Sequence, residues 1–265
     1  MKSSKCTKTE KPATVGGGVK GTKDEFISIF KKLCDTKSEW QVWEDVISMI
    51  ADAISNSLDK VHFEEREEDY NTRIKSYTNT ELIVKLMANI VEYFERDPEQ
   101  DYLGELYQDL NLSSHWRGQF FTPMSVCQMM AGMQLTEEDV KRKITENGYI
   151  IINDPACGAG ATLIAAANRL RNMGVNFQTS ALFTGNDIDP VVAKMCYIQL
   201  SFLGCPGYIA VVNTLSDPVT GNILMPDDKD TQDFWFMPMY FNEIWATRRK
   251  CKLIDNVLRL ERSVG

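Results

Sequence analysis

Long apolar runs, paired cysteines and histidines are all scarce in this chain of 265 residues. No apolar run approaches the roughly 20 residues that a membrane-spanning helix needs, and the lysine-containing N-terminus lacks the apolar segment of a secretory signal. The seven cysteines include no Cys-x-x-Cys pair, which is typical of reduced and mostly buried thiols. With only His62 and His115 to complement them, we expect no metal site, no membrane contact and a cytoplasmic location.

An excess of positive charge is also lacking, because the formal net charge is -8. Phosphate contacts supply most nonspecific affinity for DNA, so an acidic chain is poorly suited to bind DNA alone. Positive charge is confined to lysines between Lys2 and Lys23 and to the run Arg248-Arg249-Lys250-Cys251-Lys252. We interpret both groups as solvated charge in preference to a nucleic-acid patch.

The residue pattern changes along the chain and predicts four segments. Residues 1–23 are rich in lysine, serine and glycine, which predicts a disordered tail. Apolar residues at helical spacing predict a helical N-terminal domain over 24–117, in which the acidic stretch 64–69 forms an exposed helix face. Strands alternate with helices over 118–217, whereas 218–265 is predicted to form a polar turn region and a C-terminal helix.

Three strands are predicted over 149–153, 181–185 and 208–212, and polar residues stand where they end, at Asn153, Asn186-Asp187 and Asn213. Asp189-Pro190 is predicted to be the N-cap and first residue of the helix after the second strand, and Thr122-Pro123 to start an earlier helix in the same way. Strands and helices in this order imply an α/β fold whose parallel sheet binds ligands outside the carboxyl ends of its strands.

The segment Asn153-Asp154-Pro155-Ala156-Cys157-Gly158-Ala159-Gly160 joins the first predicted strand to a helix. Gly158 and Gly160 lack a Cβ, so the backbone can turn tightly and come close to a ligand. Leu163 stands where a dinucleotide fingerprint has its third glycine, and no Gly-Lys-Ser/Thr follows. The pattern therefore excludes a P-loop and disfavours a Rossmann-type oxidoreductase.

The series of motifs resembles a known family. The pattern Asp154-Pro155-x-Cys157-Gly158-x-Gly160 resembles the S-adenosylmethionine loop of amino-methylating DNA methyltransferases. With the segments 118–123, 185–189 and 212–215 in the same order, the chain resembles the methylation subunits of type I restriction-modification systems, in the adenine-N6 DNA methylase family. The resemblance implies a Rossmann-like S-adenosylmethionine-dependent methyltransferase fold with an incomplete parallel sheet, preceded by a helical domain.

The resemblance also implies S-adenosyl-L-methionine as the cofactor and assigns roles to residues near the strand ends. Asp154 would accept a hydrogen bond from the methionine ammonium group, and Asp187 would accept both ribose hydroxyls. Thr122 would bind the methionine carboxylate, and Asn213 would lie near the adenine ring. For the two aspartates and Thr122, capping alone is the alternative. The predicted cofactor-binding residues are Phe121, Thr122, Asp154, Ala156, Gly158, Gly160, Asp187, Ile188 and Asn213.

The element with which this family holds the target adenine, Asn-Pro-Pro-Phe/Tyr, is missing, since the chain contains no Asn-Pro or Pro-Pro pair. Its nearest substitute, Met237-Pro238-Met239-Tyr240, lacks the amide, so no catalytic residue is assigned. Two hypotheses remain open beside the disfavoured Rossmann-type oxidoreductase. One is a DNA adenine-N6 methyltransferase-type protein that acts on DNA with a partner subunit supplying target recognition, as a hetero- or homo-oligomer. The other is a non-catalytic S-adenosylmethionine-binding sensor or assembly module.

Overall fold

A computed structural model describes residues 21–35, 37–112 and 121–264. Within them, helices occupy the chain up to residue 109: α1 (Lys23–Lys31), α2 (Glu39–Asn56), α3 (Phe63–Ile74), α4 (Thr80–Arg96) and α5 (Tyr102–Asp109). Thr22 caps α1 by accepting a hydrogen bond from the amide of Glu25 at 3.1 Å. Thr22 and Lys23 therefore belong to the first helix and not to the predicted tail, whose residues 1–20 lie outside the described residues.

Strands and helices alternate in the next part of the chain. The elements are α6 (Met124–Gln134), α7 (Glu137–Asn147), β1 (Ile150–Asp154), α8 (Ala161–Asn172), the short α9 (Phe177–Ser180), β2 (Ala181–Asp187), α10 (Pro190–Leu203) and β3 (Gly207–Val211). A hairpin of β4 (Gly221–Asn222) and β5 (Met225–Pro226) follows, then β6 (Asp233–Phe236), a 3-10 turn (Pro238–Phe241) and α11 (Glu243–Val264).

The main sheet has the strand order β1-β2-β3-β6, in which the first three strands are parallel. This arrangement confirms the predicted α/β fold with an incomplete parallel sheet. β6 runs antiparallel to β3, and Phe234, Trp235 and Phe236 stand opposite Ala210, Ile209 and Tyr208. The segment predicted as a turn region and helix thus also contains three strands.

The two faces of the main sheet are covered differently. On one face, a buried cluster extends without a break from Trp43 and Ile47 of α2 to Leu163 of α8 and Tyr197 of α10, and α2 packs against α10. On the other face, Trp245 of α11 packs into a second buried cluster with side chains of β2, β3 and β6. The helices before the sheet and the sheet itself therefore share one core, and the predicted domain division stays a prediction.

The sequence predicts the N-cap residues of α10 and α6, and the structure confirms the first and contradicts the second. Asp189 caps α10 as predicted, because its Oδ1 accepts a hydrogen bond from the amide of Val191 at 2.9 Å and Pro190 begins the helix. The prediction that Thr122 caps α6 is wrong. Pro123 has an extended backbone, with φ -54° and ψ 139°, and takes the cap position itself, so the helix begins at Met124 without a side-chain cap. Within the described residues, no helix is both long and apolar enough to cross a membrane.

Candidate functional site

Asp154, at the carboxyl end of β1, folds back onto the loop that it begins. Its Oδ1 accepts a hydrogen bond from the amide of Ala156 at 3.0 Å, and its Oδ2 accepts one from the hydroxyl of Thr162 in α8. The carboxylate therefore holds the turn between β1 and α8. A carboxylate has about four lone-pair sites, so these two bonds leave acceptor capacity for a ligand.

Gly158 and Gly160 of this loop both have left-handed backbone conformations, with φ values of 56° and 103°. A Cβ at Gly160 would lie 2.8 Å from the sulfur of Cys196 in α10, so this glycine is required by packing. A Cβ at Gly158 would instead lie 3.4 Å from the ring of Phe121. Of the two glycines, Gly158 is therefore the one that faces the predicted ligand site.

Asp187, at the carboxyl end of β2, reaches the same loop. Its Oδ2 accepts a hydrogen bond from the amide of Gly158 at 2.9 Å, and its Oδ1 accepts one from the amide of Asp189 at 2.9 Å. Burial raises the pKa of Asp187, although the two amides act in the opposite direction. The carboxylate thus joins the Gly158 loop to the start of α10, and binding to ribose hydroxyls stays a prediction.

A small cavity of about 80 Å³ lies against the Gly158 loop. Its lining includes five of the predicted cofactor-binding residues: Phe121, Thr122, Asp154, Ala156 and Gly158. The other four predicted residues, Gly160, Asp187, Ile188 and Asn213, lie outside the lining. The segment Gly118-Gln119-Phe120, which leads into Phe121 in the sequence, lies outside the described residues. The structure therefore brings together residues that are more than thirty positions apart in the sequence.

Ile188 and Asn213 lie at the ends of neighbouring strands. Ile188 follows Asp187 directly and is 63% exposed, so it offers an apolar surface outside the sheet. The Oδ1 of Asn213 accepts hydrogen bonds from the amides of Leu215 and Ser216 at 3.1 and 3.2 Å. Asn213 therefore stabilises its own turn, and its contact with a ligand stays a prediction.

Gln199 and Asp101, two buried residues without a predicted role, stabilise the Gly158 loop on its α10 side. Gln199, fully buried in α10, donates hydrogen bonds from Nε2 to the carbonyl of Ala159 and to Oδ1 of Asp101, both at 2.7 Å. Asp101 is 5% exposed and lines the cavity, and burial raises its pKa. Asp101 has a local sequence signal, because an aspartate directly before the helix Tyr102–Asp109 is a typical N-cap. Gln199 carries no sequence signal, since it lies within an apolar helix.

The segment Met237-Pro238-Met239-Tyr240 does not present a base-binding aromatic residue. Met237 is fully buried and Tyr240 is 6% exposed. The hydroxyl of Tyr240 donates a hydrogen bond to the carbonyl of Leu224 at 2.6 Å. The segment also follows β6, at the opposite edge of the sheet from β1 and its loop. Tyr240 is thus a core residue, and this segment does not replace the missing Asn-Pro-Pro element.

The outer edge of β1 has no neighbouring strand among the described residues. A groove of about 400 Å³ runs beside it, between β1 and helices α6, α7 and α8. Two exposed apolar side chains line this groove, Met130 at 40% and Ile151 at 47%. We call this surface, defined by β1, Met130 and Ile151, the β1 groove.

The chemistry of the site fits an organic cofactor better than a metal. Among the described residues, no group of three or more histidine, cysteine, aspartate or glutamate side chains is arranged to hold a metal ion. The carboxylates of Asp154 and Asp187 suit a cationic, hydroxyl-bearing ligand, and Gly158 allows the close approach of such a ligand to the backbone. Ligand sites commonly have about 300–1,000 Å³, so the enclosed cavity holds only part of a nucleoside cofactor.

Comparison with known proteins identifies the family to which this chain belongs. The N-6 DNA methylase family matches residues 99–257, which is more than half of the chain. The methylase subunit of the type I restriction enzyme MjaIX from Methanocaldococcus jannaschii is 28% identical over 100 residues, which are 38% of this chain and 16% of that subunit.

Two solved structures also match. A modification subunit assigned to a type I restriction enzyme of Vibrio vulnificus has 13% identity and a TM-score of 0.46, and the match covers 80% of this chain and 60% of that one. A type I restriction-modification methyltransferase subunit of Streptococcus thermophilus has 17% identity and a TM-score of 0.41, with 72% and 40% covered. The chain thus spans less than two thirds of the length of these relatives. By the match over residues 99–257, it belongs to the N-6 DNA methylase family.

Proposed function

We propose that this chain is the cofactor-binding part of a DNA adenine-N6 methyltransferase and that it needs a partner for methyl transfer to DNA. The observation that carries the proposal is the convergence of Phe121, Thr122, Asp154 and Gly158 on one cavity, with Asp187 hydrogen-bonded to Gly158. Membership of the N-6 DNA methylase family supports the reaction class. S-adenosyl-L-methionine supplies an electrophilic methyl group when it is bound.

Each side chain has a separate role in binding the cofactor. Asp154 and Asp187 provide negative charge near a ligand that carries ammonium and sulfonium groups. Thr122 lies two residues before α6, whose N-terminal dipole end favours the ligand's carboxylate. Gly158 lets the ligand approach the loop, while exposed Ile188 offers an apolar surface for the base. In this proposal the residues of this chain bind and orient the cofactor.

We expect Asp187→Ala to weaken S-adenosylmethionine binding about ten- to hundred-fold, because charge-assisted hydrogen bonds contribute about 1.5–3 kcal/mol. The loss has two sources, since the side chain would accept ligand hydroxyls and also holds the amide of Gly158. Isothermal titration calorimetry measures the change. Asp228→Ala, at an exposed position after β5, is the matched control. Equal affinities of the wild type and Asp187→Ala would contradict the assignment of the site.

We expect Gly158→Val to abolish cofactor binding while the fold is retained. Valine is strained at a φ of 56°, and its branched side chain would extend toward Phe121 and into the cavity. Gly174→Val is the matched control, because Gly174 has a φ of 73° and no atom lies within 4 Å of the position that a Cβ would take there. Circular dichroism checks folding and calorimetry checks binding. If both variants bind equally well, Gly158 is only a turn residue.

The need for a partner is supported by the β1 groove and by charge. The net charge of -8 opposes binding to DNA phosphates by this chain alone. Exposed strand edges offer unpaired backbone groups to another chain. We propose that a second polypeptide adds a strand to β1, in a hetero- or homo-oligomer, and supplies the DNA contacts and target recognition. Such a complex would act on DNA in the cytoplasm.

A non-catalytic sensor or assembly module is the alternative, and one observation favours it. The nearest sequence substitute for the adenine-holding element is buried at Met237 and Tyr240, so the described residues offer no recognised group that would hold the target adenine. In that case, the pocket at Gly158 would bind the cofactor without passing on its methyl group. Methyl transfer in the presence of a complementing partner distinguishes the two functions.

A further inference from the structure

A second cleft, of about 440 Å³, lies away from the Gly158 loop. Residues of α2 and α3 form one side of it, and Lys194 of α10 and Trp235 of β6 form the other. We call it the Asp52 cleft, after the α2 carboxylate that lines it. Its walls thus come from the helices before the sheet and from the sheet itself.

Asp52 is only 1% exposed, and its Oδ2 has no hydrogen-bond partner among the described residues. An unpaired buried carboxylate is costly, so most buried acids are paired or hydrogen-bonded. Burial raises the pKa of Asp52 to about 7. Because this carboxylate also lines an open cleft, a ligand that enters the cleft can supply the missing partner.

The neighbouring cations are already engaged. Arg66 pairs with Asp59 at 3.2 Å, and Arg73 pairs with Asp69 at 2.8 Å. Lys194 donates to the hydroxyl of Ser48 at 3.1 Å, and burial lowers its pKa. None of these cations is within ion-pair distance of Asp52 in the described part of the chain.

The carboxylates that line the cleft differ in burial. Asp52 lies in the interior, whereas Glu65 and Glu68 are exposed and form no ion pair within the described ranges. Asp69 pairs with Arg73, and Asp233 pairs with Arg66 at 3.5 Å and accepts a hydrogen bond from the indole of Trp235 at 2.7 Å. Asp52, Glu65 and Glu68 form no ion pair with another described residue and carry three negative charges, whereas the ammonium of Lys194 carries one positive charge. The cleft therefore has an excess of two negative charges. A ligand with two positive charges would neutralise them.

We propose that the Asp52 cleft binds a small organic diamine, with one ammonium group on Asp52 and the other near Glu65 and Glu68. A metal ion is disfavoured, because no suitable group of ligands exists among the described residues. An anion is disfavoured by the excess of carboxylates. The site is separate from the Gly158 cavity and shares none of its lining residues.

Calorimetric titration of the full chain with 1,4-diaminobutane at pH 8 and low salt tests this proposal. We expect saturable binding that is measurably tighter, by up to about five-fold, than binding of n-butylamine at equal ionic strength, since a contact with an exposed carboxylate contributes up to about 1 kcal/mol. Asp52→Asn, which keeps the shape and removes the charge, is expected to weaken diamine binding about ten-fold or more. Glu81→Gln on α4, whose side chain is 75% exposed, is the matched control.

A double variant, Glu65→Gln with Glu68→Gln, keeps the test decisive if Asp52→Asn fails to fold. Both positions are exposed, so folding should be retained while the preference for the diamine over the monoamine disappears. Absence of binding to the wild type would overturn the proposal. Equal binding of 1,4-diaminobutane and n-butylamine, or unchanged binding by the folded variants, would also overturn it and leave Asp52 as a structural acid balanced by Lys194.

Discussion

The purified chain is expected to transfer no measurable methyl group to DNA, and a polypeptide that carries the family's Asn-Pro-Pro-aromatic strand is expected to restore transfer. Positioning of the reacting groups can account for several kcal/mol of a barrier, and each 1.36 kcal/mol changes the rate ten-fold. Loss of the adenine-holding element should therefore slow transfer by about a thousand-fold or more. The buried Tyr240 offers no substitute for it.

A single-turnover assay with labelled S-adenosylmethionine and unmethylated DNA measures this effect. The chain is assayed alone, with the complementing polypeptide, and as Gly158→Val with that polypeptide. Transfer only by the wild-type mixture would support the methyltransferase proposal. If the cofactor binds but the mixture remains inactive, the sensor function is favoured. Robust adenine-N6 methylation by the chain alone would contradict the proposed need for a partner.

The β1 groove gives this experiment a structural control. Ile151→Lys places a charge beside the open edge of β1, where Ile151 is 47% exposed, and should prevent both partner binding and restored transfer. Val84→Lys on α4 is the matched variant, because Val84 is 67% exposed and distant in the sequence from the groove. If Ile151→Lys supports transfer as well as Val84→Lys does, the partner docks elsewhere.

The parts of the fold that the sequence predicted best have local signals. The first two strands, the Gly158 loop and the Asp189 cap were found because strand, turn and helix follow one another within a few residues. β6 was missed because its three aromatic residues are too short a run to show alternation, and its pairing with β3 joins distant parts of the chain. The start of α6 shows that a local cap signal can be wrong by one position, because Pro123 and not Thr122 takes the cap position.

The residues of the candidate site likewise include some with a local sequence signal and some without one. Phe121, Thr122, Asp154 and Gly158 belong to recognisable motifs, and the structure places them on one cavity. The support from Gln199 to the carbonyl of Ala159 depends on helix α10 packing behind the loop. No pattern near residue 199 shows that contact. The sequence thus predicted five residues that line the cavity, whereas four other predicted residues lie outside its lining and the buried hydrogen bonds behind the loop were not predicted.

Arg66→Ala is expected to lower the free energy of unfolding by about 3–5 kcal/mol, the usual cost of removing one partner of a buried ion pair. The sequence predicted an exposed acidic helix face here, yet Arg66 is only 4% exposed. Its guanidinium pairs with Asp59 at 3.2 Å and donates to the carbonyl of Phe234 in β6. It also lies 4.0 Å from the ring centre of Trp235. The variant therefore loses contacts that join α3 to the sheet.

Urea denaturation followed by tryptophan fluorescence measures this loss, with the midpoint shifting and the slope unchanged if both states keep their compactness. Arg142→Ala in α7 is the matched control, because Arg142 pairs with Asp139 and Glu146 on the surface and should leave the midpoint nearly unchanged. A shift no larger than that of Arg142→Ala would show that the buried arginine contributes little.

A single unfolding transition of the wild type is expected, because the helices before the sheet and the sheet share one buried cluster, and because Arg66 of α3 donates a hydrogen bond to β6. Two separate transitions, with only the first moved by Arg66→Ala, would instead show that the two parts unfold independently.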